Sequence, residues 1–268
     1  MAECTYHLND LRIGYPRAHR QPDGMASGLT ARLHKGEMAC LVGVNGCGKS
    51  TLLRTMAGLQ PPVGGSLELM GRPLHDYSRT QLAQMVGIVL TDGIPERSLT
   101  VRELVGMGRQ PYTGLWGHLT QQDTQQVDRA MERMGIGHLS TRKVSHLSDG
   151  ERQKTLLAKA LAQQTATILL DEPLCFLDYP SKVAMLQLLA QLAHEEGLSI
   201  LLSIHDLELA LNWADTLWVM GAGSGLGVGT PADILAQGGL NHLLQPTGAD
   251  RQGLRLPRTG AAEILEYT

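Results

Sequence analysis

The chain has 268 residues, 43% hydrophobic and 18% charged, enough apolar material for one large α/β domain or a core with a smaller lobe. Its formal net charge is −3 and no block of five Lys or Arg occurs, which argues against a nucleic-acid partner. The cysteines Cys4, Cys40, Cys47 and Cys175 show no C-x-x-C spacing, no secretory leader pattern opens the chain, and no apolar run approaches the roughly 18 residues of a membrane span. A reduced cytosolic chain that meets the membrane through a partner is expected.

In chain order, Met38–Val42 reads as a buried strand ending at Gly43, and Thr51–Leu59 reads as a helix. Between them, Gly43, Val44, Asn45, Gly46, Cys47, Gly48, Lys49 and Ser50 fit G-x-x-x-x-G-K-[ST], running into Thr51. Glycines let the backbone curl around phosphate oxygens so that its amides become the ligands. In that pattern Lys49 reaches the β- and γ-phosphates and the Ser50 hydroxyl sits on Mg²⁺. Cys47, beside the loop amides and Lys49, is expected to have a lowered thiol pKa and to be the most reactive of the cysteines.

Val86–Leu90 is the next strand, and Thr100 with Glu103 forms a capping box opening a helix over Val101–Arg109. Another helix follows Thr120. With one strand between about Pro73 and Val144, this stretch reads as a helical insertion. Beyond Ser148 the pattern alternates: helix Glu151–Gln163, strand Thr167–Leu170, helix Ser181–Glu196, strand Ser199–Ser203, helix Leu207–Asp215 and strand Thr216–Met220. Such alternation implies an α/β fold with a mostly parallel sheet covered on both faces. The expected division is a core from 1–72 and 145–230, a helical subdomain at 73–144, and a short Gly-rich extension at 231–268 with one helical stretch at Ala232–Leu244.

The strand Thr167–Leu170 ends in two carboxylates, Asp171 and Glu172, where doubly wound sheets place their ligands. Asp171 is positioned to hold Mg²⁺, directly or through water. Glu172 is positioned to orient and deprotonate an attacking water.

The tract from His146 to Gln153, about twenty residues before Asp171, resembles the ABC signature motif, usually LSGGQ. Leu147, Ser148 and Gly150 match; Asp149 and Glu151 stand in place of a glycine and the glutamine. The same Ser148 and Glu151 form a capping box, and a capped helix N-terminus can present Ser148 and the Gly150 amide to a γ-phosphate. The resemblance, over roughly residues 3–230, implies the P-loop NTPase fold of ABC ATPases, with ATP and Mg²⁺ as cofactors. It also implies a homodimer in which that phosphate belongs to the other subunit's ATP. Leu177-Asp178 looks like the D-loop, His205 like the switch histidine, and Tyr15 like the adenine-stacking aromatic. The family's glutamine after the strand that enters the helical insertion, here Val86–Leu90, is replaced by Thr91, shorter and without an amide, so coupling to Mg²⁺ there is expected through water or Asp92.

The stretch Leu99 to Tyr112, containing Gly108-Arg109-Gln110-Pro111, resembles importers of ferric siderophores, haem and cobalamin. That likeness implies polytopic permease subunits docked on the helical subdomain. It further implies an indirect partnership with a substrate-binding protein, and a peripheral location on the cytoplasmic face of the membrane. The competing reading is a non-transport ABC ATPase, such as one of iron–sulfur cluster assembly.

Overall fold

The computed structural model describes residues 3–15, 23–90, 98–114, 117–221 and 225–236. Its strands are β1 (Cys4–Tyr15), β2 (Asp23–His34), β3 (Met38–Gly43), β4 (Gly64–Leu69), β5 (Arg72–Pro73), β6 (Val86–Val89), β7 (Thr167–Leu170), β8 (Ser199–Ser203), β9 (Thr216–Met220) and β10 (Leu226–Gly229). The helices are α1 (Lys49–Met56), α2 (Arg79–Met85), α3 (Val101–Gly106), α4 (Gln121–Arg133), α5 (Asp149–Ala162), α6 (Tyr179–Glu196), α7 (Leu207–Trp213) and α8 (Pro231–Ala236). No described helix is long and apolar enough to cross a membrane.

Six strands form the main sheet in the order β10-β9-β3-β8-β7-β6. The pairs from β9 to β6 are parallel, and β10 runs antiparallel to β9. The inner strands β3, β7, β8 and β9 are mainly apolar and buried along most of their length because both faces are covered. On β3, Met38, Cys40 and Val42 enter the core shared with α3 to α7, whereas Ala39 and Leu41 enter a second core. Burial is therefore two-sided, as the apolar runs predict.

The second core lies under a four-stranded antiparallel sheet, order β2-β1-β4-β5, which the sequence reading did not anticipate. Tyr6, Leu8, Leu11 and Ile13 of β1 fill it together with Leu52, Leu53 and Met56 of α1. Register shifts between Leu8 and Leu11, and again between Leu11 and Ile13, break the period-two alternation that would have marked the strand. One shift places Asp10 at a φ of 46°, and a Cβ at Gly65 would lie 2.1 Å from the Asp10 carbonyl oxygen, so only glycine fits there.

Three boundaries are revised. Strand β6, inside the stretch read as a helical insertion, pairs with β7 as the edge of the main sheet, so the helices that leave the sheet are those after it. The expected helix Val101–Arg109 stops at Gly106 and tightens into a 3₁₀ segment over Met107–Tyr112. The C-terminal helix is described as Pro231–Ala236; the rest of its expected span lies outside the described residues.

The 3₁₀ segment is fixed by its own sequence. Gly108 lies so near α5 that a Cβ would sit 2.2 Å from the Lys159 carbonyl oxygen. Buried Arg109 donates through Nε to Asp123 Oδ1 at 2.9 Å and through Nη1 to Ala162 O at 2.8 Å and Gln164 Oε1 at 3.0 Å. It thereby ties α4 to the C-terminal end of α5. Because Arg109→Ala leaves Asp123 buried without its cation, we expect a loss of about 3–5 kcal/mol in a denaturant melt. A loss under 1 kcal/mol would show that the pair carries no net weight.

Candidate nucleotide site

Parallel pairing brings the C-terminal ends of β3, β8 and β7 side by side, with Leu41 opposite Ser203 and Leu170 opposite Leu202. Gly43, His205 and the Asp171–Glu172 pair leave the sheet from this one edge. Three segments far apart in sequence therefore meet.

The loop from Gly43 to Gly48 turns from β3 into α1 through left-handed glycines, Gly46 at φ 77° and Gly48 at φ 110°. Gly43 has no room for a side chain, since a Cβ would meet Met220 O at 2.6 Å and Cys47 Sγ at 2.8 Å. Asn45 and Gly46 form the exposed tip; Thr51 and Lys49 are buried, and Ser50 is half-buried. Helix α1 begins at Gly48 with no side-chain cap and no acid in its first turn, whereas α2 to α5 each start in a capping box. A helix start without a side-chain cap or an acid of its own is the arrangement that suits an external anion. Lys49 Nζ folds back to donate to Gly43 O at 2.8 Å and Val44 O at 3.3 Å.

Cys47 does not behave as the sequence suggests. Its side chain is buried against Gly43, and burial raises the thiol pKa more than Lys49 and the loop amides lower it. Cys40 is pushed up to about 12 by burial, and Cys175 to about 11 by burial and its bond to Glu172. In a maleimide time course at pH 8, the partly exposed Cys4 should be labelled before Cys47. Faster labelling of Cys47 would restore the original expectation.

At the acidic pair, Ser203 performs a task that its sequence position did not reveal. Its fully buried hydroxyl donates to Asp171 Oδ1 at 2.9 Å and accepts from the Glu172 amide at 2.8 Å, tying the Asp171 carboxylate and the Glu172 backbone to β8. Glu172 itself sits at φ 49°. Both of its oxygens are engaged: His205 Nε2 donates to Oε1 at 2.6 Å, and Cys175 Sγ donates to Oε2 at 3.1 Å. Burial pushes the Glu172 carboxyl upward, but the bonds from Cys175 and His205 outweigh it and hold the group below the usual range. Ser203→Ala should lower ATP turnover roughly ten- to a hundredfold, the equivalent of about 1–3 kcal/mol for the stranded partners. Unchanged turnover would exclude a positioning role.

Ser148 caps α5 as predicted, accepting from Glu151 N at 3.3 Å while Glu151 Oε2 accepts from Ser148 N at 2.8 Å. The two acids that depart from the motif have nearby guanidinium groups, Arg152 at 2.9 Å from Asp149 and Arg142 at 3.5 Å from Glu151. These guanidinium groups offset the two added negative charges at the helix start. A Cβ on Gly150 would meet Leu177 at 3.3 Å, so the α5 start packs on the loop carrying Asp178, which caps α6 by accepting from Ser181 N at 3.0 Å. Tyr15 ends β1, with its side chain outside the described set; Thr91 and Asp92 lie outside the described residues.

A glycine loop at a helix start, joined to a carboxylate pair and a histidine at one sheet edge, defines a phosphate-loop ATPase. The ABC transporter family model matches residues 26–175, and the chain belongs to that family as an ATP-binding, ATP-hydrolysing subunit. It is 36% identical to the ferric enterobactin transport ATP-binding protein of Escherichia coli over 79% of this chain and 78% of that protein. It is 40% identical to the cobalamin import ATP-binding protein of Halobacterium salinarum over 76% of this chain and 51% of that protein. Among solved structures, an inward-facing metal-chelate type ABC transporter matches with a TM-score of 0.76 at 27% identity, covering 90% of this chain and 88% of the other.

Proposed function

We propose that this chain powers an importer of ferric siderophores, haem or cobalamin, as a homodimer bound to polytopic permease subunits at the cytoplasmic face of a membrane and served by a substrate-binding protein. The observation carrying the ATPase chemistry is the bonded set Asp171, Ser203, Glu172 and His205 at the sheet edge that bears the glycine loop. The substrate class rests on relatives named for ferric enterobactin and cobalamin. The non-transport alternative has no such support.

In this reading the amides of Gly43 to Thr51 and the Lys49 ammonium hold the triphosphate, and Tyr15 stacks on the base. Ser50 and Asp171 offer the hard oxygen donors that suit Mg²⁺, which when bound would neutralise charge on the phosphates. Glu172 takes the proton of the attacking water. His205 now occupies Glu172 Oε1, so its move toward a γ-phosphate would free the base. Ser148, Gly150 and Asp178 act across the dimer. The permease docks on the helical region, in a cleft of about 780 Å³ between α2, the 3₁₀ segment and α5.

Purification of the tagged chain from membranes, followed by reconstitution of whatever polytopic subunit accompanies it, tests this. ATP-dependent uptake of a ferric siderophore, haem or cobalamin is expected. Recovery of soluble cluster-assembly proteins alone would refute it.

A further inference from the structure

Cys175 lies against the proposed base and has no part in holding phosphate or Mg²⁺. Its Sγ donates to Glu172 Oε2 at 3.1 Å, while His205 Nε2 donates to Oε1 at 2.6 Å. Among the described residues these are the two side-chain donors on that carboxylate. The contact is built by the local sequence. Glu172, Pro173, Leu174 and Cys175 make a tight turn, closed by the Cys175 amide donating to the Glu172 carbonyl at 3.2 Å. Pro173, second in the turn, has the fixed φ that this place favours. Leu174 is buried in the core shared with α3 to α7 and pins the turn there. The thiol is thereby returned to the carboxylate three residues behind it. Burial, and then the bond to Glu172, push Cys175 up to about 11, so at neutral pH it keeps its proton and remains a donor.

The two donors have different fates in the reaction. His205 is the group that leaves Glu172 for a γ-phosphate, whereas Cys175 is fixed by its own turn and stays. The Glu172 backbone is tied down through Ser203, but its half-buried side chain has rotatable bonds of its own. Without a second donor the carboxylate would be free to rotate at the moment Oε1 is released, and a misplacement of about 1 Å can cost on the order of a hundredfold in rate.

We propose that Cys175 is a positioning residue for hydrolysis: it keeps Oε2 of Glu172 while His205 releases Oε1, so that the freed oxygen meets the attacking water in one orientation. The proposal rests on the reading of Glu172 as the base and adds the group that orients it. What the position needs is a short side chain that donates. A serine hydroxyl meets that need as well as a thiol, and a methyl group does not.

The test is single-turnover hydrolysis of MgATP by the full chain, with whatever membrane subunits accompany it, alongside ATP affinity and a thermal melt. Cys175→Ala should slow hydrolysis about five- to tenfold, the low end for a bond to a charged group because a thiol donates weakly. ATP affinity should stay within twofold and the melting temperature should not move. Cys175→Ser should retain at least half of the parent rate. In a Glu172→Gln background, adding Cys175→Ala should change the residual rate less than twofold, because the group to be oriented is already gone. A general structural role would instead slow both backgrounds by the same factor, and serine would not restore the rate; either result overturns the proposal. If Glu172→Gln stalls hydrolysis while Cys175→Ala runs like the parent, Cys175 is excluded and the base reading stands. If Glu172→Gln hydrolyses like the parent, both fall.

Discussion

Glu172→Gln should lower steady-state ATP turnover by about 10²–10⁴-fold while leaving ATP binding intact, the range expected when a general base is removed. The substitution is nearly isosteric, and an amide oxygen can still accept from His205 Nε2 at the position now 2.6 Å away. What disappears is the negative charge able to take a proton from water. The groups proposed to grip phosphate, the loop amides and Lys49, are untouched. ATP should therefore persist between two subunits, and size-exclusion chromatography in MgATP should show a dimer that decays slowly. Turnover within a few-fold of the parent chain would remove Glu172 from the base role. Weak nucleotide binding would instead mean that the carboxylate supports the loop.

The sequence was legible where one physical demand acted alone. Strands β3, β7, β8 and β9 read as strands because two cores bury both faces, which confines their polar residues to the strand ends. The caps at Thr100 and Ser148 read correctly because a capping box is local chemistry within four residues. Strands β1 and β2 were missed because bulges shift their shared register, and the pairing of β1 with β4 spans more than fifty residues. Ser203 was missed for a related reason. A serine ending an apolar strand carries no signal until β8 pairs with β7 and brings its hydroxyl against Asp171. Cys47 failed because two opposing effects had to be weighed: sequence shows the cation and the amides, whereas the depth of burial exists only in the fold.

Lys49→Ala should weaken ATP binding by about two to three orders of magnitude and abolish hydrolysis. A charge-assisted hydrogen bond contributes about 1.5–3 kcal/mol, or roughly ten- to 150-fold in affinity, and a lysine bridging two phosphates supplies more than one. The side chain is already enclosed, with Nζ bonded to Gly43 O and Val44 O, so phosphate oxygens would compete with or join contacts the loop itself provides. Deleting it also removes the cation that draws those two carbonyls inward, and the loop should lose some order even without nucleotide. A titration with a fluorescent ATP analogue separates these effects from unfolding when paired with a thermal melt. Binding within threefold of the parent in a fully folded variant would mean that the amides of Gly43 to Thr51 hold the triphosphate without the lysine. Lost binding in a folded chain, not rescued by Lys49→Arg, would show that a compact ammonium at this depth is required, because the planar guanidinium cannot occupy the same space between Gly43 and Val44.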